Sequence, residues 1–203
     1  MNSIFRMVPP VETAGPSITV YRTKFHLETE QTFRLRWFAD EHAELFLNGE
    51  FLCAGSAGCT PRRWFLENFE RPLPAGDYTL TARVTMFGRN LAPHAQESVA
   101  FGFYAESEQL TNGWECQVLR HLEFTPPYPD WAMAPRMTAA PEFNWRALEG
   151  EDGKWESVAF REDTRPLFPR PVPPMEEKPE RAYRIIERPD GSKLFVFDQY
   201  VCV

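Results

Sequence analysis

Asn48-Gly49 stands between two apolar runs, "ELFL" and "EFLC". Both central positions of a type I′ turn require positive φ, and Asn-Gly meets that requirement best. A two-residue turn of this kind commits the flanking runs to antiparallel pairing. Neighbouring segments keep the same period. In "TFRLRWFAD", Phe33, Leu35 and Trp37 alternate with Arg34 and Arg36. In "YTLTARVTMFG", Leu80, Ala82, Val84 and Met86 alternate with Thr79, Thr81, Arg83 and Thr85. A period of two belongs to a strand with one buried face. "SITVYRTKFHLE" and "ESVAFGFYAE" are rich in the β-branched and aromatic residues that strands favour.

Turn residues separate these runs. Pro72 and Pro74 interrupt pairing, and Gly76-Asp77 makes the corner into the next strand. No sustained helical period appears. Two short helical candidates remain, Arg62–Phe69 and Ala140–Leu148. Repeated short strands with Gly and Pro turns predict an all-β fold, an antiparallel β-sandwich or jelly roll. With 203 residues, 43% of them hydrophobic, the chain has enough material for a core.

The character changes after Arg161. "RPLFPRPVPPMEEKPE" carries six prolines, a density that excludes a helix or a central strand and predicts an extended strap. A strand pair follows, "YRIIE" and "KLFVFDQYVCV", joined by the turn Pro189-Asp190-Gly191-Ser192. The expected organisation is a β-sandwich over residues 1–165, a Pro-rich linker or strap over 166–180, and the start of a following β-domain over 181–203. Val201-Cys202-Val203 ends the chain on apolar residues, so the expectation is the front part of a longer polypeptide.

Net charge is −7 and the basic residues are scattered, which does not suit nucleic acid. No apolar stretch has the length of a membrane span or a signal peptide, so a cytoplasmic protein is expected. Cys53, Cys59, Cys116 and Cys202 form no CxxC pair, and no metal site or cofactor is expected. A Cys53–Cys59 disulfide is conceivable across the small-residue loop; buried free thiols are the alternative.

Few residues suggest catalysis. Asp40, Glu41 and Glu44 form the densest acidic group, at a strand end and hairpin, where solvated turn acids are normal. His42 beside them reads as a surface residue. Gly55-Ser56-Ala57-Gly58 misses the Gly-x-Ser-x-Gly spacing and the strand-to-helix context of a nucleophile elbow. No catalytic residue is assigned. Neutral sugars are bound by an aromatic face beside planar hydrogen-bonding groups. The candidates with those ingredients are Trp64 with Arg62 and Arg63, Trp114 with Asn112, and Trp131 in "PPYPDWAMAP". Each has a structural alternative. Trp64 and its arginines would clamp the hairpin loop to the sheet, Trp114 would sit at the sandwich edge, and Trp131 would plug against a neighbouring domain. Trp155 would cover one end of the sandwich.

Five segments in order resemble the N-terminal, non-catalytic β-sandwich region of the bacterial α-L-rhamnosidases. "FADEHAELFLNGEFLCAGSAGCTPRRWFLENFE" is similar to the family's strand, Asn-Gly hairpin, Gly-rich loop and Arg-Trp cluster. "LPAGDYTLTARVTMFG", "PEFNWRAL", "GKWESVAF" and "RPLFPRPVPPMEE" follow in family order, covering most of Tyr21 to Glu177. One departure is Asn144-Trp145, where the family usually has Asp-Ala. The resemblance implies a jelly roll like the galactose-binding domains. It also implies a parent reaction, hydrolysis of terminal α-L-rhamnosides, performed by a separate (α/α)-barrel domain of the same polypeptide. The expected role is that of a non-catalytic accessory module whose partner is that downstream domain. The alternatives are an autonomous carbohydrate-binding module for a neutral sugar, or a purely structural β-sandwich.

Overall fold

The computed structural model describes residues 3–11, 16–55, 62–87, 100–120, 122–125, 136–139, 147–149, 153–173, 182 and 184–197. Its elements are strands throughout. In chain order they are β1 (Ile4–Val8), β2 (Ser17–Leu27), β3 (Gln31–Ala39), β4 (His42–Leu47), β5 (Glu50–Gly55) and β6 (Trp64–Leu73). Then come β7 (Gly76–Met86), β8 (Phe103–Glu106), β9 (Glu115–Leu119), β10 (Leu122–Thr125) and β11 (Arg136–Ala139). The last are β12 (Glu156–Ser157), β13 (Ala159–Asp163), β14 (Leu167–Pro169), β15 (Arg184–Glu187) and β16 (Lys193–Val196).

Two six-stranded sheets make up the sandwich. The first runs β13-β1-β8-β3-β6-β14 and the second β12-β9-β2-β7-β4-β5. Pairing is antiparallel except at the margin, where β14 runs parallel to β6. Phe33, Leu35 and Trp37 of β3 point inward to meet Tyr21 and Phe25 of β2 and Leu80, Ala82 and Val84 of β7. Phe25 stacks on Phe33 at 5.1 Å, which joins the two sheets through aromatic contact. Burying each such side chain contributes roughly 1.5–3 kcal/mol, so this layer dominates the stability of the fold.

The turn chemistry follows the sequence. Asn48 and Gly49 take φ of 50° and 82°, as a type I′ hairpin demands. Gly191 supplies positive φ in the β15–β16 turn, where Asp190 accepts a hydrogen bond from the Ser192 amide at 2.9 Å.

Two expectations need correction. The segment at Arg62–Phe69 is not a helix; it opens β6. Trp64 and Leu66 are buried on one face of that strand and Glu67 on the other, so both faces carry apolar or packed residues and the period of two is masked. β7 is not half-buried either. Thr81, Arg83 and Thr85 are buried as well as Leu80 and Val84, at 5–8% exposure against 0–1%. On the outer side of the second sheet, Ile18, Val20 and Leu119 form a further cluster, with Leu122 and Trp155 packed on it. Trp155 therefore lies against a sheet face, under the Arg22 guanidinium at 3.7 Å.

The chain divides into two compact units, Met1–Pro171 and Val172–Val203. Within the first, Leu167–Pro169 of the Pro-rich segment joins the first sheet as an edge strand, the position proline tolerates. The second holds the β15–β16 hairpin, which pairs Arg184 with Val196 through Glu187 with Lys193. Residues 140–146 of the helical candidate Ala140–Leu148 and the Cys59 half of the conceivable disulfide lie outside the described residues, as do Cys202 and Asn144-Trp145.

Candidate functional site

The opening of β6 gathers three of the sequence-derived candidates. Trp64 is fully buried. Its ring stacks on Phe38 at 4.3 Å, and Arg165 lies 3.9 Å from its centroid. A ring sealed on both sides has no face to offer a sugar. Arg63 is exposed and extends over Phe168 of β14, at 5.2 Å. Arg62 is also exposed. The stack on Trp64 comes from Arg165, a residue of the Pro-rich segment that the sequence does not place there.

Trp114 and Asn112 lie between β8 and β9. Trp114 is half-buried and meets Phe103 edge-on at 5.7 Å. The Asn112 amide nitrogen donates to the Lys24 carbonyl, and Thr23 donates to the Gly113 carbonyl at 3.1 Å. Both side chains thus tie the β8–β9 connection to β2. Trp131 lies outside the described residues.

The outer face of the first sheet has two unlike halves. One half is aromatic: Ile4, Phe38, Trp64 and Leu66 are buried there, with Tyr104 and Leu167 packed beside them. The other half is polar and open. Register builds it rung by rung. Arg36 of β3 stands opposite Asn68 of β6 on one side and Glu106 of β8 on the other. Two residues back, Arg34 stands opposite Glu70. The Arg34 Nε–Glu70 contact is 3.0 Å, and Arg36 pairs with Glu106. Tyr104 joins the halves by donating to Glu106. Burial first, then the bond to Glu106 and its charge, raise the Tyr104 phenol above its ordinary range, so this hydroxyl is held as a donor.

β8 ends at Glu106, and the chain turns away as a wall over residues 107–110. Ser107 donates to Gln109 at 2.6 Å, and Leu110 donates to the Ser107 carbonyl at 3.2 Å. Gln109 reaches back to the Thr32 carbonyl at 3.4 Å. Floor and wall together enclose a groove of about 620 Å³ lined by Arg34, Arg36, Asn68, Glu70, Glu106 and Gln109 among others. A second hollow of about 500 Å³, lined by Ser3, Tyr104 and Thr164, shares Glu106 with it. None of these residues is a sequence candidate for binding. The available signal was the Arg34/Arg36 alternation, which marks an outward face and cannot show what stands across from it.

Of the acidic group at the β3–β4 turn, Asp40 and Glu41 are not solvated, while Glu44 is partly exposed. Asp40 and Glu41 are 2% and 1% exposed. Their carboxylates accept backbone N–H groups, Asp40 from Ala100 at 3.2 Å and Glu41 from Phe87 at 2.5 Å. Glu44 pairs with Arg83 at 3.1 Å. His42 is half-buried. Asp40 and Glu41 serve backbone closure, and Glu44 serves a side-chain ion pair. Cys116 is buried, which, with the charge of Glu156, pushes its thiol up to about 11. Such a thiol is a poor nucleophile at neutral pH.

Its fold is similar to part of a rhamnosidase. The crystal structure of a GH78 family rhamnosidase of Bacillus sp. GL1 superimposes with a TM-score of 0.64 at 19% identity, over 89% of this chain and 21% of that chain. The chain therefore spans about a fifth of that protein's length. No protein-family model matches the chain, and no curated protein matches it. The resemblance read from the ordered segments is thus present in the fold, at an identity that carries the architecture alone.

Proposed function

We propose that this chain is a non-catalytic accessory module of an α-L-rhamnosidase-like glycoside hydrolase, with cleavage of terminal α-L-rhamnosides carried by a separate catalytic domain of the same polypeptide. The observation that supports the reading is the lopsided coverage. Nearly all of this chain, 89%, finds a counterpart within 21% of a much larger rhamnosidase. Fold alone does not imply activity, so the reading rests on a test.

The chemistry of the described residues agrees with it. Glycoside hydrolysis needs two carboxyl groups flanking the scissile bond, one of them able to donate a proton. In the groove, Glu70 and Glu106 already accept from Arg34 and Arg36. At the β3–β4 turn, Asp40 and Glu41 accept from backbone amides.

The test incubates the chain alone with an aryl α-L-rhamnoside, and in parallel a longer product of the same reading frame that includes the sequence downstream. The expected result is no enzyme-dependent release from the chain alone and release from the longer product. Turnover by the 203-residue chain itself would overturn the proposal.

A further inference from the structure

We propose that Asn112-Gly113 is a site of spontaneous deamidation, and that the acid formed there releases the β8–β9 connection from β2. The inference is independent of the module reading.

Asn-Gly occurs twice in the chain, at Asn48-Gly49 and Asn112-Gly113. In such a pair the glycine amide nitrogen, unhindered by a side chain, can reach the asparagine Cγ. The nitrogen loses its proton and bonds to Cγ, the Cγ–Nδ2 bond breaks, and ammonia leaves with that proton. Water then opens the succinimide at either carbonyl, giving aspartate or isoaspartate. The net exchange is amide plus water for carboxylate plus ammonium, so water is the only co-reactant.

The structure treats the two pairs differently. Asn48 is locked in the type I′ turn at φ 50°, and both ends of its side chain are held by β7. Its Oδ1 accepts from the Thr79 amide at 2.8 Å, and its Nδ2 donates to the Asp77 carbonyl at 3.3 Å. Its Cγ cannot turn toward Gly49 without breaking both bonds. The paired strands β4 and β5 hold the backbone on either side. Asn112 is exposed and lies outside any strand, in the β8–β9 connection. Among the described residues its side chain makes one hydrogen bond, from Nδ2 to the Lys24 carbonyl, and the Gly113 amide makes none. The attacking nitrogen is thus free, and the carbon it attacks is held at a single point.

The bond lost in the reaction matters to the fold. β9 pairs with β2 only as far as the Arg22–Glu115 rung. Past that rung, Asn112 Nδ2 and Thr23 Oγ1 make the link, donating to the Lys24 and Gly113 carbonyls. In the acid an oxygen replaces the donor nitrogen and faces the Lys24 carbonyl oxygen, two acceptors with no proton between them. Isoaspartate also lengthens the backbone by a methylene. Either product loosens the segment that carries Leu110 and Trp114 onto the main core. The backbone does not need a glycine at this point. A Cβ on Gly113 would meet open space, and its φ lies outside the left-handed region, unlike Gly49 at 82°. Gly113→Ala therefore hinders the attack without strain.

The test ages the full chain in a mildly alkaline buffer and follows the peptides of both pairs by mass spectrometry, with an isoaspartyl methyltransferase as the probe for isoaspartate. Acid should form at Asn112 about 3–10-fold faster than at Asn48, the effect of the additional bond on Asn48. In concentrated urea both should react at similar rates, because the motif is the same. The deamidated fraction, separated by its extra negative charge, should melt about 2–4 °C lower, and its amides at residues 111–115 should exchange faster. Gly113→Ala and Asn112→Gln should each abolish the reaction at this position, and Gly113→Ala should not lower the melt. Reaction at Asn48 as fast as at Asn112 in the folded chain overturns the proposal. So does an Asn112 that stays intact while the urea-unfolded chain converts. An unchanged melt and exchange pattern in the deamidated fraction overturns the release of the connection. Ageing of the unsubstituted chain decides the site even where a variant folds badly.

Discussion

Arg170 donates from one nitrogen to both carboxylate oxygens of Glu67, at 3.0 and 2.8 Å, across 103 positions of sequence. Glu67 is 6% exposed and faces the interior side of β6, so its charge needs a partner brought from elsewhere. The Pro-rich segment supplies it: Arg170 follows β14 directly, and its amide donates to the Leu66 carbonyl at 3.0 Å. The arginine therefore fastens the edge strand as well as neutralising the acid. Arg170→Ala should lower unfolding free energy by about 2–4 kcal/mol in urea denaturation, because it leaves the glutamate buried. Arg170→Ala combined with Glu67→Gln should recover part of that loss. Equal stability of Arg170→Ala and the parent chain would refute the fastening role.

Asp163 links three segments. It accepts from Arg6 Nε at 3.0 Å and from the Arg165 amide at 2.9 Å, and it pairs with the Arg165 side chain. Burial alone would raise its carboxyl, but the Arg165 bonds and the charges of Arg165 and Arg6 outweigh that and hold it at about 2. A carboxyl depressed in the folded state stabilises above its unfolded value, near 3.9, and loses that contribution as pH falls toward 2. The contribution at neutral pH is about 2 kcal/mol. Asp163→Asn should therefore be less stable at pH 7 and show a shallower loss of stability on acidification between those two pH values. Chemical denaturation at a series of pH values measures both; parallel curves for the two proteins would exclude this account.

The residues that share a face with their own neighbours were legible in the sequence. Phe33, Leu35 and Trp37 point to the core because their period is two, and Asn48-Gly49 turns because both positions take positive φ. Residues whose role depends on a distant strand were not legible. Asp40 and Glu41 read as turn acids, since nothing local shows that Ala100 and Phe87 will donate to them. Thr81, Arg83 and Thr85 read as an outward polar row, since the cover over Ile18 and Val20 comes from other parts of the chain. The groove failed for the same reason. Arg34 and Arg36 are local, but Glu70 and Glu106 reach them only through the β6-β3-β8 order. Trp64 was noticed for its type, yet its burial is completed by Phe38 and Arg165.

Asn48 does two jobs that substitution can separate. Its φ of 50° is costly for most side chains, and its Oδ1 accepts the Thr79 amide at 2.8 Å. Asn48→Gly keeps the backbone freedom and loses the bond, so it should cost about 1 kcal/mol. Asn48→Ala loses both and should cost about 2–3 kcal/mol. Melting and urea curves of the two variants give the comparison. If glycine were as damaging as alanine, the backbone conformation would not be the larger part.

Asp40 and Glu41, adjacent at the β3–β4 turn, hold the chain at points far apart in sequence. Glu41 accepts from the Phe87 amide just past β7, and Asp40 accepts from the Ala100 amide just before β8. The Asp40 amide in turn donates to the Gly102 carbonyl at 3.1 Å. One dipeptide thus fixes where β7 ends in the second sheet and where β8 begins in the first. Charge-assisted bonds of this kind contribute about 1.5–3 kcal/mol, and a buried amide left without its acceptor costs a similar amount. Glu41→Gln retains a carbonyl oxygen at the same reach, so it should be milder than Glu41→Ala. The sharper readout is local. Hydrogen exchange at the Phe87 amide should accelerate in Glu41→Ala, and at the Ala100 amide in Asp40→Ala, each without the other. Exchange that rises equally at both amides in either variant would mean that the dipeptide acts on the fold as a whole, not as two separate anchors.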